Sequence, residues 1–366
     1  MDQVRVGVIG CGVGMLHLEG YEQEPRAKIM AVAGLDEERC AQLVQRFNIP
    51  HRYRDYRDML DNPDIDAVNV AVPNHLHAEV ALAALEAGKH VLVEKPLART
   101  IEEAESIVQA GALSGKVLGT IFDKRGRSDM EYVGTLARNG HFGEIYYVKA
   151  SWVRRSGIPG LGSWFTKKEL SGGGPLIDLG VHMLDLSLWM LGNPDVATVS
   201  ASTFAKLGPQ GKGNWPRGRF TSVAGQEYGV EDLATAFIRT ATGATVQLEV
   251  SWAAFMHETD AYGIEIMGDK GGARVYVKDY AKVGEVALFT DLNGAMVDTK
   301  PRLYEQHSHG RMVSNFIDAI INGTPMSPNG EEGLNRVRLL DAIYESAGQG
   351  RELQFSPSSV TLLETI

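Results

Sequence analysis

The sequence predicts an α/β protein: a doubly wound parallel sheet, then an α+β domain with a large open, mostly antiparallel sheet. Three observations carry that expectation. Short β-branched runs alternate with helix-period segments through the first third, and this rhythm breaks after about Asp123. The later chain groups long alternating runs together and closes on two helical patterns. Repeated strand–helix–strand order calls for parallel pairing with right-handed crossovers, whereas clustered strands with helices to one side suit an antiparallel or mixed sheet. At 366 residues the chain exceeds one typical core, so the expected division is 1–122 and 123–366.

The runs expected as buried parallel strands are Val4 to Gly10, Ala27 to Gly34, Asp66 to Pro73, His90 to Lys95 and Lys116 to Phe122. Between them, "NHLHAEVALAALEAG" reads as a helix capped by Asn74 and closed by Gly88. "TIEEAESIVQAGALSG" places Thr100 and Glu103 in capping-box spacing and closes at Gly115. Beyond Asp123, a helix near Ser128 to Asn139 leads to "EIYYVKASWVRR". Two hairpins follow, one around Thr242-Gly243 and one around Asp269 to Gly272. "HGRMVSNFIDAIING" and "EEGLNRVRLLDAIYESA" supply the closing helices. Lys206 to Gly229 is long, polar and rich in Gly and Pro, the composition of a lid, an oligomer arm or a disordered segment.

Composition narrows the function classes. A formal net charge of -10 argues against a general nucleic-acid or anionic-membrane binder. No uncharged apolar stretch approaches the ~18 residues of a membrane span. Only Cys11 and Cys40 are present, so no disulfide framework is expected and a reducing compartment fits. With a start that runs straight into a strand, the expected location is cytoplasmic. The open sheet needs covering, which implies a homodimer or homotetramer.

The chemistry begins at "VGVIGCGVGMLH". Gly10, Gly12 and Gly14, with Cys11 and Val13 between them, join the first strand to the first helix. Glycines there permit a tight turn and let backbone N–H groups approach a pyrophosphate. The spacing is one residue shorter than the usual G-x-G-x-x-G, so position in the βαβ unit is what marks the motif. Gly34 stands where an acid would hold the ribose 2′-hydroxyl, and Asp36 follows two residues later. Asp36 suits either a ribose contact or a helix N-cap. The expected cofactor is NAD, with NADP as the alternative through Arg39. "HVLVEKPLA" ends a strand on Glu94, Lys95 and Pro96, which delivers Lys95 to the ligand crevice.

The second signal is "SGGGPLIDLGVHMLDLSLWML". Asp178, His182, Asp185 and Trp189 fall in one stripe at ~100° per residue, between apolar flanks. Buried charge costs several kcal/mol unless paired or used, so this stripe faces a cavity or a partner. A satisfied core histidine is the alternative reading.

"AVPNHLHAEVALAALEAGKHVLVEKPLA", "GGGPLIDLGVHMLD", "IEIMGDKGG" and "GEEGLNRVRLLDAIYESAGQG" together resemble the Gfo/Idh/MocA oxidoreductases over almost the whole chain. The resemblance implies an N-terminal Rossmann domain, a C-terminal open-sheet domain, and nicotinamide-dependent oxidation or reduction of sugars or cyclitols. Position by position it implies catalysis by Lys95, Asp178 and His182, and places Pro73 and Asn74, with His75 beside them, near the nicotinamide. The expected mechanism seats a substrate hydroxyl between Lys95 and His182, with Asp178 orienting the ring or a neighbouring hydroxyl. Arg125, Arg155 and Trp164 (with Arg154) form a sugar- or anion-recognising set. His307 and His309 lack acid or Cys partners at ligand spacing, so no metal is expected. Two other functions fit the same motifs: an NAD-dependent glycosidase using transient oxidation, and a nucleotide-sensing binding protein without turnover.

Overall fold

The β-branched runs of the first third form five parallel strands: β1 (Val4–Ile9), β2 (Ala27–Ala33), β4 (Ala67–Val70), β5 (His90–Glu94) and β6 (Leu118–Ile121). A short strand, β3 (His51–Tyr53), completes the order β3-β2-β1-β4-β5-β6 in the computed structural model, which describes residues 3–215 and 228–355. Connecting helices are α1 (Gly14–Glu22), α2 (Glu37–Phe47), α3 (Tyr56–Leu60), α4 (His77–Glu86) and α5 (Ile101–Ser114). The strands are apolar on both faces because helices cover both. Thr100 caps α5 by accepting from Glu103 N, but the Glu103 carboxylate reaches Arg99 N instead of completing the box. Asn74 does not cap α4: Asn74–Leu76 forms a 3-10 turn first, and the helix begins at His77.

Two compact units divide the chain. One runs through Gly126 and also includes Gln306–Arg338; the other takes Arg127–Glu305 and the chain from Leu339 onward. The sequence reading assigned everything after residue 122 to the second domain. Packing explains the difference: α9 (Ser308–Asn322) buries Met312, Val313, Phe316 and Ile317 among Val4, Val6, Leu18 and Ile121 of the first unit. The unit boundary falls within the last helix, α10 (Gly330–Gln349).

The second unit contains α6 (Ser128–Arg138), the single-turn α7 (Lys168–Ser171) and α8 (Val181–Met190). Its strands are β7 (Ile145–Arg154), β8 (Val196–Phe204), β9 (Leu233–Thr240), β10 (Thr245–Ser251), β11 (Asp260–Gly268), β12 (Gly272–Lys278), β13 (Glu285–Leu292), β14 (Ala295–Thr299) and β15 (Leu353–Gln354). Among the described residues they form one sheet, β14-β13-β12-β11-β7-β10-β9-β8-β15, parallel only between β7 and β10. Both expected hairpins are present, with Gly243 at φ +93° in the first turn. α8 is buried on every side, which an all-round apolar helix requires, and packs over β7 and β10. Residues 216–227 of the long Gly/Pro segment lie outside the described residues.

Candidate functional site

In the first unit the glycine turn follows β1 at the switch point, where β2 and β4 flank β1 on opposite sides. Gly10 has φ +110°, and a Cβ there would sit 2.2 Å from Ala71 O. Gly14 packs against Val8, whereas a Cβ on Gly12 would meet nothing within 4 Å. Side chains of Asp36, Asp55 and Thr100 cap α2, α3 and α5, while α1 begins after Val13 with no side-chain cap. Its first-turn N–H groups thus have no side-chain acceptor and suit a diphosphate. The turn fits a dinucleotide.

Cys11 does not line this turn as a thiol. It is joined to Cys40 of α2 by a single link, which is short of a disulfide framework. The link also accounts for Gly34: a Cβ there would lie 2.6 Å from Cys11 Sγ and 2.9 Å from Cys40 Sγ. No acid fits at that position while the sulfurs are paired. Asp36 is the N-cap of α2, its carboxylate accepting from Arg39 N at 3.0 Å.

Pro73, Asn74 and His75 are half-buried at the end of β4, and half-buried Lys95 ends β5 beside a cis Lys95–Pro96 peptide. His77, which sequence reasoning passed over, ties these loops together, its ring standing 2.7 Å from Pro96 O and 2.9 Å from Val72 O. Glu94, expected with Lys95 among the cofactor-binding residues, is buried and bonded from within. Its Oε1 faces His17 Nε2 at 2.7 Å and its Oε2 accepts from Lys95 N at 3.2 Å. Asn69 Nδ2 donates to His17 Nδ1 at 2.5 Å, and Tyr21 donates to Asn69. That chain fixes a neutral His17 donating to an ionised Glu94. Burial pushes the Glu94 carboxyl upward, but hydrogen bonds from His17 and His309 outweigh it and hold it well below the usual range. Burial likewise holds His17 below the ordinary histidine value. His309 Nε2 lies 3.7 Å from Glu94, so it has an acid partner that spacing along the chain could not reveal. His307 instead caps α9, its Nδ1 accepting from Gly310 N at 2.8 Å.

Arg125 is also corrected. Arg125 is 3% exposed, and its guanidinium donates to Glu332 at 2.9 Å and Ser327 at 3.2 Å, so it forms a structural ion pair within the first unit.

In the second unit the run Gly172–Gly174 allows close approach to buried neighbours. A Cβ on Gly173 would meet Tyr344 Oη at 2.0 Å, and one on Gly174 would meet Glu231 O at 2.2 Å. The buried Glu231 carboxylate accepts from Gly174 N, Leu176 N (3.0 Å) and Tyr344 Oη (2.9 Å). Burial raises its pKa. From there Leu176–Gly180 winds as a π turn before α8. A wider turn advances each residue less, so Asp178 leaves the single α-helical stripe; such bulges recur at functional sites. Asp178 is half-buried and its Oδ2 accepts from Trp252 Nε1 at 3.0 Å. The His182 ring lies 5.8 Å from that of Trp152, which donates from Nε1 to Asp260 at 3.0 Å. Further along, the stripe becomes structural. Asp185 is wholly buried, and Trp189 fills the space beside Gly134 with Arg138 over its ring. Trp164 stacks on Phe165 at 3.8 Å, and Phe165 meets Trp252 edge-on. Arg155 is exposed; its neighbour Arg154 is buried against Asp260 at 2.8 Å. The Trp152 and Trp252 walls were invisible to sequence reasoning because strands reveal alternation, not partners.

A Rossmann unit with a bare phosphate turn, together with a unit presenting a carboxylate and an imidazole at one helix start, defines a dinucleotide-dependent oxidoreductase. Residues 4–122 match an oxidoreductase family's NAD-binding Rossmann fold, and residues 136–355 match its C-terminal alpha/beta domain. The chain belongs to this Gfo/Idh/MocA oxidoreductase family and is an NAD-binding enzyme. It is 33% identical to D-glucoside 3-dehydrogenase of Escherichia coli K12, over 96% of this chain and 97% of that one. It is 29% identical to levoglucosan dehydrogenase of Pseudarthrobacter phenanthrenivorans, over 95% and 97% of the two chains. A solved levoglucosan dehydrogenase in complex with NADH and levoglucosan superposes with a TM-score of 0.85 at 26% identity, covering 96% and 99%.

Proposed function

We propose that this protein is an NAD-dependent dehydrogenase or reductase acting on a hydroxyl or ketone carbon of a sugar, glycoside or inositol-like polyol. The observation that carries the proposal is the Asp178–His182 pair, a half-buried carboxylate and a buried imidazole held against the indoles of Trp252 and Trp152. The sugar-oxidising relatives support the substrate class. Nicotinamide, when bound, supplies the hydride acceptor or donor. Gly10, Gly12 and Gly14 with the start of α1 bind the diphosphate; Pro73, Asn74 and His75 line the nicotinamide end. Asp36, whose Oδ1 caps α2, would offer its other carboxylate oxygen to the ribose. His182 or Lys95 Nζ holds the proton of the reacting hydroxyl, and Asp178 orients a ring or hydroxyl beside it. Trp164 and Arg155 contribute to sugar recognition. An acid–base group so placed is worth ~10²–10⁴ in rate.

Absorbance at 340 nm across polyols, aldoses and glycosides tests the proposal. With the best substrate, Lys95→Ala loses ~10²-fold or more in kcat while NAD affinity, read by fluorescence titration, is kept. Near wild-type turnover by Lys95→Ala overturns the assignment. Release of free sugar without net NADH would point to a glycosidase instead.

Two further parts of the proposal are separately testable. A cytoplasmic location predicts that cell fractionation recovers the protein with cytosolic markers; recovery with exported proteins, whose compartment favours the Cys11–Cys40 link, argues against it. No helix among the described residues is long and apolar enough to cross a membrane. A homodimer or homotetramer would cover Phe204, Phe237 and Phe289, exposed on strands of the large sheet, and light scattering reads its mass.

A further inference from the structure

The second unit holds a cavity of about 590 Å³ that Arg155 lines and that extends past it to Trp215 and Tyr280. Sites of that size take ligands larger than a single hexose, which has only a dozen non-hydrogen atoms. Two links place it beside the Asp178–His182 pair. Asp260 lines it and accepts from Trp152, whose ring faces His182. Tyr280 also lines it, and the Asp178 charge adds to the upward push on its hydroxyl, which burial dominates.

The walls are aromatic and the rim is polar. Trp215 and Tyr280 lie nearly parallel, 21° apart with centroids at 6.1 Å, and Phe255 stands 81% exposed at the edge. Arg155 and Lys212 offer donors, while Asp279 and Thr259 offer oxygen acceptors. An apolar platform with mixed donors and acceptors around it suits a hydroxylated ring that has one flat apolar face.

The cavity is also built rather than incidental. Buried Arg154 donates to Asp260 at 2.8 Å and to Tyr280 Oη at 2.8 Å, with its guanidinium over the Trp152, Trp215 and Tyr280 rings. The segment carrying Leu207 to Trp215 is pinned at both ends. Asp232 accepts from Lys206 N (2.7 Å), Leu207 N (2.5 Å) and Gly208 N (3.0 Å), while Ile158 exchanges backbone bonds with Gly213 and Trp215 at 2.9 Å each.

We propose that this cavity is a second sugar subsite: the ring to be oxidised sits at Asp178 and His182, and the glycosidically linked sugar of a disaccharide lies on Trp215 and Tyr280. The inference rests on the sugar-dehydrogenase reading and names its substrate class as two-ring glycosides.

The test compares kcat/KM for cellobiose, phenyl β-glucoside and methyl β-glucoside in wild type, Trp215→Ala and Phe255→Ala. Wild type should favour cellobiose over methyl β-glucoside. Trp215→Ala should cut that preference about tenfold, mainly through KM, and Phe255→Ala about threefold, in keeping with the loss of one aromatic contact each. An undiminished preference in both variants, or none in wild type, overturns the subsite. Stronger activity on phenyl β-glucoside than on cellobiose overturns its assignment to a sugar. If Trp215→Ala fails to fold by circular dichroism, exposed Phe255→Ala carries the test. Should no glycoside reduce NAD, the failure belongs to the proposed function, and the calorimetric Kd ratio of the same ligands decides the subsite on its own.

Discussion

Each unit opens its key helix with a run of glycines, and the two runs serve opposite ends. Before α1 the glycines leave the helix start bare: no side chain caps it, and a Cβ on Gly12 would project into open space. Before the π turn, Gly173 and Gly174 bring the chain so close to Glu231 and Tyr344 that a buried carboxylate takes up the N–H groups. The first start is kept for an incoming anion. The second is closed by one already built in, and the Asp178 carboxylate accepts from Trp252 Nε1 instead of capping. Glycine spacing alone does not tell these uses apart; what stands opposite the N–H groups does.

Glu231→Ala tests the closed start most severely. Gly174 N, Leu176 N and Tyr344 Oη would lose their acceptor, at ~1–3 kcal/mol for each buried group left unsatisfied. The expected result is a Tm lower by roughly 10 °C with NAD affinity retained. Lower NAD affinity at constant Tm would break the comparison. Gly12→Ala should do the reverse: Kd for NAD rises about tenfold, equivalent to ~1.4 kcal/mol, while stability stays within ~0.5 kcal/mol. Calorimetric titration and thermal melts read both quantities.

The smallest effect separates Glu94 from Glu231 by sign. Glu94 is depressed in the folded state, so its contribution is present above the ordinary value near 4.5 and fades as pH falls below it. His17, also depressed, contributes fully above about 6.5 and loses that contribution on acidification. Glu231 is raised, so its contribution is complete below about 4.5 and lost as pH rises. In melts between pH 4 and pH 7, roughly the span of these ordinary values, Glu94→Gln should flatten the loss of Tm on acidification. Glu231→Gln should steepen it. Equal slopes would show that neither carboxylate titrates as its surroundings dictate.

Much of this was legible along the chain. β-branched runs set the parallel strands, Thr100 marked a helix start, and the hairpin turns fell where the alternating runs break. Helical spacing put Asp178 and His182 in one stripe, but the π turn takes Asp178 out of it. Sequence reading missed what depends on distant partners. Arg125 looked like a binding residue until Glu332, from the far end of the chain, proved to hold it. His309 appeared to lack an acid because Glu94 is supplied by a strand more than two hundred residues earlier. The apolar stripe of α9 announced that it packs, but local periodicity does not name the sheet it packs on.

The sulfur link beside the phosphate turn constrains any attempt to redesign cofactor choice. Gly34→Asp by itself drives a side chain into both sulfurs, so placing an acid at the ribose end of β2 is blocked at the outset. Positions 11, 34 and 40 therefore have to be exchanged as a set, with smaller residues replacing the cysteines before a carboxylate can be tried.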